Sequence, residues 1–178
     1  MYYIFQRVTG FKCGHNKSYG NIKGIVNLTK LHIMDLSDNE FGGKIPLDLE
    51  RLQAFSINVS RWRFYQMESY TLYNEIEMDI KGREYNLSYV LSTESIFDLS
   101  HNNFIYEIHA SIGSLSSLGL LNLSGNQLEG KILASLGTIS TLEQLDLAKN
   151  NLSGEIPQTL SKSSALGVVN FSSNNLYG

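Results

Sequence analysis

The stretch from Phe97 to Leu176 decides the fold. FDLSHNNF begins at Phe97, LNLSGNQL at Leu121, LDLAKNNL at Leu145 and VNFSSNNL at Val169, aligned without a gap at a spacing of 24 residues. Self-similarity at one short period is the signature of a solenoid, in which each supersecondary turn buries its apolar side against its neighbours. An earlier copy, MDLSDNEF from Met34, stands 63 residues ahead of Phe97.

Each column of this alignment has a physical job. Met34, Phe97, Leu121, Leu145 and Val169 alternate with Leu36, Leu99, Leu123, Leu147 and Phe171. That period of two marks a short strand with one buried face. The residues between them, Asp35, Asp98, Asn122, Asp146 and Asn170, are expected on the opposite, solvent side. Apolar residues also lie four, seven and ten positions ahead of these: Leu142, Ile139 and Leu136 in one copy, Leu118, Leu115 and Ile112 in another. Their three-residue rhythm suits a short 3-10 turn on the outer side of the coil. Asn39, Asn102, Asn126, Asn150 and Asn174 form one further column. A turning coil points backbone groups inward that lack strand partners, and such groups need hydrogen bonds. An amide side chain offers two donors and an acceptor, so this column is expected to be a structural ladder pointing into the core.

The pattern LxxLxxLDLSxNxLxGxIPxxL resembles the leucine-rich repeat of plant extracellular receptors. Its Gly-x-Ile-Pro signature is complete at Gly43–Pro46 and Gly154–Pro157. It departs where Tyr106 replaces Gly, His109 replaces Pro and Leu133 replaces Pro, and a looser back edge is expected in those coils. The resemblance implies an α/β repeat solenoid: a right-handed superhelix, a parallel β-sheet on the concave face and irregular or 3-10 turns on the convex face. It divides the chain into an incomplete N-terminal segment (1–24), a first clear repeat (25–52), an interruption (53–90) and four repeats (91–178), the last cut short at Gly178.

The first two copies stand 39 residues further apart than a single period, which is not a multiple of 24 and favours an insertion beside the solenoid over two degenerate coils. Lys81-Gly82-Arg83-Glu84-Tyr85 is similar to the Lys-Gly-x-x-Tyr stretch that closes the island of plant receptor-like proteins. Trp62, Arg63 and Tyr65 sit in a run of rings and guanidinium groups of the kind interfaces favour. They read equally as a cap over the interrupted core. With His101 beside the strand column, these three are the candidate partner contacts.

Composition limits the rest. The net charge of -3, without clustered Lys or Arg, argues against a nucleic-acid surface. Cys13 is the single cysteine, so neither an internal disulfide nor the paired-cysteine cap usual in such families is available. The opening MYYIFQRVTGFK has too short an apolar core for a secretory signal, and no run of about 18 apolar residues spans a bilayer. The chain reads as a fragment, or a truncated gene product, of a longer receptor.

No phosphate loop, zinc spacing, nucleophile elbow or kinase signature occurs, and no cofactor is expected. His15, His32, His101 and His109 bear no repeat relation to a Ser or Cys nucleophile. Asp98 and Asp146 lie two coils apart, about 10 Å at the usual strand spacing, but Asp is the repeat's ordinary residue there. Catalysis is therefore not expected. Sequons at Asn16, Asn27, Asn58, Asn86, Asn122, Asn151 and Asn170 are candidate glycosylation positions, although the last three arise from the repeat text itself. The resemblance implies an extracellular recognition module at the plasma membrane, binding a protein, peptide or glycan and pairing with a co-receptor kinase in defence or development. The alternative is a secreted inhibitor similar to those that block fungal polygalacturonases, a class whose solenoid is normally unbroken.

Overall fold

The computed structural model describes residues 10–56, 77–80, 83–86 and 95–178. Its inner sheet has six parallel strands, in the order β1 (Gly10–Lys12), β3 (Ile33–Asp35), β7 (Ser95–Asp98), β9 (Leu118–Asn122), β11 (Gln144–Asp146) and β13 (Val168–Asn170). Met34, Phe97, Leu121, Leu145 and Val169 stand side by side in this register. One irregularity interrupts it: Ser95 pairs with Leu118 and Ile96 with Leu120, which leaves Gly119 as the extra residue of its strand.

Six strands also form a second sheet, and its order is β14 (Asn175–Tyr177), β12 (Asn151–Glu155), β10 (Gln127–Gly130), β8 (Asn103–Glu107), β4 (Glu40–Gly43) and β2 (Tyr19–Gly20). A single concave sheet was the expectation. The residues after each ladder Asn alternate as well: Phe104, Leu128 and Leu152 are fully buried, while Asn103, Gln127 and Asn151 are exposed. Short 3-10 turns at Lys23–Asn27, Leu49–Arg51, Ala110–Ser114 and Ala134–Thr138 close the outer side, with one α turn, α1, at Gln158–Ser161.

The segment given above as an incomplete N-terminus supplies both strands of a further coil. Phe11, Cys13 and Asn16 occupy the columns of Met34, Leu36 and Asn39, because Phe11 pairs with Met34 and the Cys13 N–H donates to the Asp35 carbonyl. Cys13 packs against the core in a leucine column, and burial first, then the Asp35 charge, pushes its thiol up.

The interruption is likewise relocated. Leu49, Leu52 and Phe55 are fully buried and fill the outer columns of the coil whose strand is Ser95–Asp98. Phe55 meets Phe97 edge-on, with ring centroids 5.8 Å apart. The Phe55 carbonyl accepts from Ser117 N–H of the next coil at 2.8 Å. The boundary at Gln53 therefore moves: the coil runs through Phe55 and resumes at Ser95. Between these points, β5 (Glu77–Ile80) and β6 (Arg83–Asn86) pair antiparallel. Across the seam, Ile96 N–H donates to the His32 carbonyl and Leu36 N–H to Asp98, as between unbroken coils.

The expected looser back edge is not found at β8, which pairs with both neighbours. His109 stands in for Pro by accepting the Ser111 N–H at 3.2 Å, capping the turn at Ala110–Ser114. Tyr106 adopts a φ of 70° in a column where Gly43 and Gly130 both show 81°. A side chain in that region costs about 1–2 kcal/mol. The Lys44 ammonium sits over its ring, 4.7 Å from the centroid.

Candidate functional site

The inner asparagine column holds the coils together. Asn126 Nδ2 donates to the Leu99 carbonyl of the preceding coil (3.0 Å) and to Leu123 and Ser124 of its own coil. Its Oδ1 accepts from Phe104 N–H at 3.0 Å. Asn39, Asn102, Asn150 and Asn174 repeat this set toward their own preceding coils. Backbone groups that the turns leave without strand partners are thus satisfied by one side chain per coil. These residues are committed to structure.

The other side of the inner sheet is the surface a solenoid offers to partners. Its central column was expected to face solvent. It does point away from the core, yet Asp35, Asp98 and Asn122 are buried, with 4%, 3% and 7% exposure. The flanking column of Ile33, Ile96 and Leu120 is buried too. Period two reports which side a residue takes, not whether that side is covered. Within the column the polar groups bond along the sheet. Asn122 Nδ2 donates to Asp98 Oδ2 (3.1 Å) and Asn170 Nδ2 to Asp146 Oδ2 (3.2 Å). Ser37 Oγ donates to Asp35 Oδ1 at 2.6 Å, and Ser124 Oγ to Asn122 Oδ1 at 2.8 Å. Burial pushes the Asp98 carboxyl up to about 6; the Asp35 charge adds to this, against hydrogen bonds from Ser100 and Asn122.

Beside this column lies an accessible rim, immediately before the ladder Asn. His15, Asp38, His101, Lys149 and Ser173 all adopt φ between 50° and 57°, and Gly125 completes the column at 66°. This left-handed residue turns each coil sharply and leaves its side chain outside the sheet. His15 Nδ1 lies 3.2 Å from Asp38 Oδ2, and His101 Nδ1 lies 3.8 Å from Asp38 Oδ1. His101 leans across Gly125, where an added Cβ would meet its ring at 3.2 Å. Of this rim, sequence reasoning had singled out His101 alone. The signal for the others was their place next to the invariant-spaced Asn.

Among the sequons, Asn122 is buried and its Nδ2 donates to Asp98. Asn16 is exposed, but it belongs to the ladder column and its Nδ2 donates to Cys13 and Gly14 carbonyls. Asn170 is half-buried and bonded to Asp146, whereas Asn27 and Asn151 are exposed. Asn58, Trp62, Arg63 and Tyr65 lie outside the described residues, as do Lys81 and Gly82 of the island-like motif; Asn86 ends β6. Among the described residues, no group of three His, Cys, Asp or Glu side chains is placed to hold a metal ion. No helix there is long and apolar enough to cross a membrane.

Comparison with known proteins agrees with this geometry. The Leucine Rich Repeat family model matches residues 30–52, 117–139 and 141–163. Receptor-like protein 36 of Arabidopsis thaliana is 38% identical over 116 residues, covering 60% of this chain and 16% of that protein. The chain thus spans less than one fifth of the length of such relatives. The ectodomain of the Arabidopsis receptor kinase HAESA, solved in complex with an N-terminally extended IDA peptide hormone, superimposes with a TM-score of 0.69 at 26% identity, over 96% of this chain and 22% of that one. The BIR3–SERK2 complex from Arabidopsis thaliana gives 0.63 at 26% identity, over 94% and 68%.

Proposed function

We propose that the chain is a leucine-rich-repeat solenoid of the kind found in plant receptor-like proteins, and that it acts as a non-catalytic recognition module. In the longer protein it lies outside the cell at the plasma membrane. There it binds a peptide, protein or glycan and contributes to pairing with a co-receptor kinase. The relatives matched are receptor-like proteins, which favours this reading over a secreted inhibitor.

The observation that carries the reading is the division of the inner sheet. Its central column is consumed by side-chain bonds along the sheet, while the rim of His15, Asp38 and His101 offers polar side chains beside it. The same division supports the non-catalytic assignment. Asp98 has the perturbed carboxyl that a catalyst would use. Both of its oxygens, however, accept structural hydrogen bonds, from Ser100 N–H and Asn122 Nδ2. We place partner contact at the rim around His101 together with Trp62, Arg63 and Tyr65.

The test is saturable binding of the immobilised chain to panels of plant secreted peptides and cell-wall oligosaccharides. Changing Trp62, Arg63 and Tyr65 to Ala, or His101 to Ala, is expected to abolish binding, and changing Asp146 and Lys149 to Ala to spare it. The reverse pattern moves the site to the later coils. Turnover of any panel member contradicts the non-catalytic reading.

A further inference from the structure

We propose that Asn27 and Asn151 carry N-linked glycans in the mature protein, whereas Asn16, Asn122 and Asn170 stay bare, so that sugars clothe the outer faces and leave the concave rim open. This rests on the extracellular reading above. A sugar is joined to the asparagine Nδ2 in place of one of its two hydrogens, so a position is compatible with the folded chain only where that nitrogen faces open space and has at most one hydrogen bond to keep.

Three of the five described sequons in the coils fail that condition. Asn122 is 7% exposed and its Nδ2 donates to Asp98, so a sugar there would be forced into the packed central column. Asn170 is half-buried in the same column, with its Nδ2 turned along the sheet onto Asp146 Oδ2. Asn16 Nδ2 donates to the carbonyls of Cys13 (3.0 Å) and Gly14 (2.8 Å), the within-coil half of the asparagine ladder.

Asn27 meets the condition with its oxygen already fixed. It is exposed at the end of the turn Lys23–Asn27, and its Oδ1 accepts from Arg51 Nη2 at 2.7 Å. Arg51 is itself steadied by Asp48 Oδ2 at 3.3 Å. The chain Asp48–Arg51–Asn27 thus holds the amide by its acceptor and leaves the nitrogen for attachment. A shallow groove runs beside it, with Pro46 and Leu47 offering apolar surface and Lys23 and Lys44 offering donors. That pairing suits a proximal acetamido sugar, which has an apolar face and acceptor oxygens. Asn151 opens β12 in the outward column of the second sheet, where Gln127 and Asn175 are also exposed. Its partner at the third sequon position, Ser153, is exposed too.

The experiment is secretion of the full chain from plant cells behind an added leader, followed by glycopeptide mass spectrometry of the soluble, protease-resistant pool. Sugar is expected on Asn27 and Asn151 and absent from Asn16, Asn122 and Asn170. Thr29→Ala and Ser153→Ala should each remove one step of electrophoretic mobility, and Ser124→Ala none. Sugar on Asn16, Asn122 or Asn170 in that pool, or a bare Asn27 or Asn151, overturns the assignment. Because the leader imposes secretion, those outcomes bear on the sequon assignment alone; the recognition reading is decided separately by the binding assay.

Discussion

Two seams of this solenoid can be set side by side. Between Leu121 and Leu145 the chain runs directly from one coil to the next, whereas between Met34 and Phe97 it carries 39 additional residues. The hydrogen bonds across the two seams are nevertheless the same in kind. Leu36 N–H reaches the Asp98 carbonyl at 2.9 Å, and Leu123 N–H reaches Asp146 at 2.8 Å. Asn102 Nδ2 donates to Leu36 at 2.8 Å, and Asn150 Nδ2 to Leu123 at 3.0 Å. A coil is therefore defined by which columns are filled, not by chain continuity. Leu49, Leu52 and Phe55 serve a strand that begins at Ser95 as well as Ile112, Leu115 and Leu118 serve their own.

If the seams are equivalent, core truncation should cost alike at both. Phe55→Ala, which empties a fully buried site packed on Phe97, is expected to lose about 3–5 kcal/mol. Leu118→Ala, its counterpart in the unbroken coil, should lose about 2–5 kcal/mol in denaturant titrations. A Phe55→Ala loss under about 1 kcal/mol would detach residues 49–55 from the coil. Asn102→Ala and Asn126→Ala, across the broken and unbroken seams respectively, should each cost on the order of 1–3 kcal/mol by leaving buried backbone groups unpaired. A clear inequality between them would break the equivalence.

The central column gives a pH-dependent comparison. Asp98 titrates near 6 in the fold, raised from 3.8, so between about pH 4 and 6 the folded state holds the extra proton. Stability should then fall as pH rises through that window and level off above it. Asp98→Asn, the residue type already at 122 and 170, should flatten this slope while giving up one of the two hydrogen bonds that the carboxyl accepts. Thermal unfolding at pH 4 and pH 7 reads it. The smallest effect belongs to the second sheet. Tyr106→Gly relieves a left-handed tyrosine worth about 1 kcal/mol but gives up the Lys44 contact, worth roughly 0.5–1 kcal/mol. A net gain below about 1 kcal/mol is expected, and a loss beyond that would show the ring to be anchoring β8.

What was legible follows from the same columns. The 24-residue spacing of Phe97, Leu121, Leu145 and Val169 specified the inner sheet and its register, because a repeated period of two leaves one arrangement that buries every leucine. The first coil escaped notice because Cys13 stands in a leucine column and its spacing to Leu36 is 23, not 24. The second sheet escaped because the residues after each Asn were read as a motif, not by their own alternation. The burial of Asp35, Asp98 and Asn122 was illegible for a different reason: it depends on neighbours brought in from other coils, which local periodicity does not encode.

Removing residues 56–94 joins Phe55 to Ser95 and restores a 24-residue spacing from Met34 to the next copy. Closing a loop of this length costs about 3 kcal/mol in chain entropy, a cost the deletion abolishes. The shortened chain should fold cooperatively, retain its strand signal in circular dichroism and unfold at a temperature no lower than the parent. Loss of cooperative unfolding in that single melting experiment would contradict a solenoid that runs unbroken past the insertion.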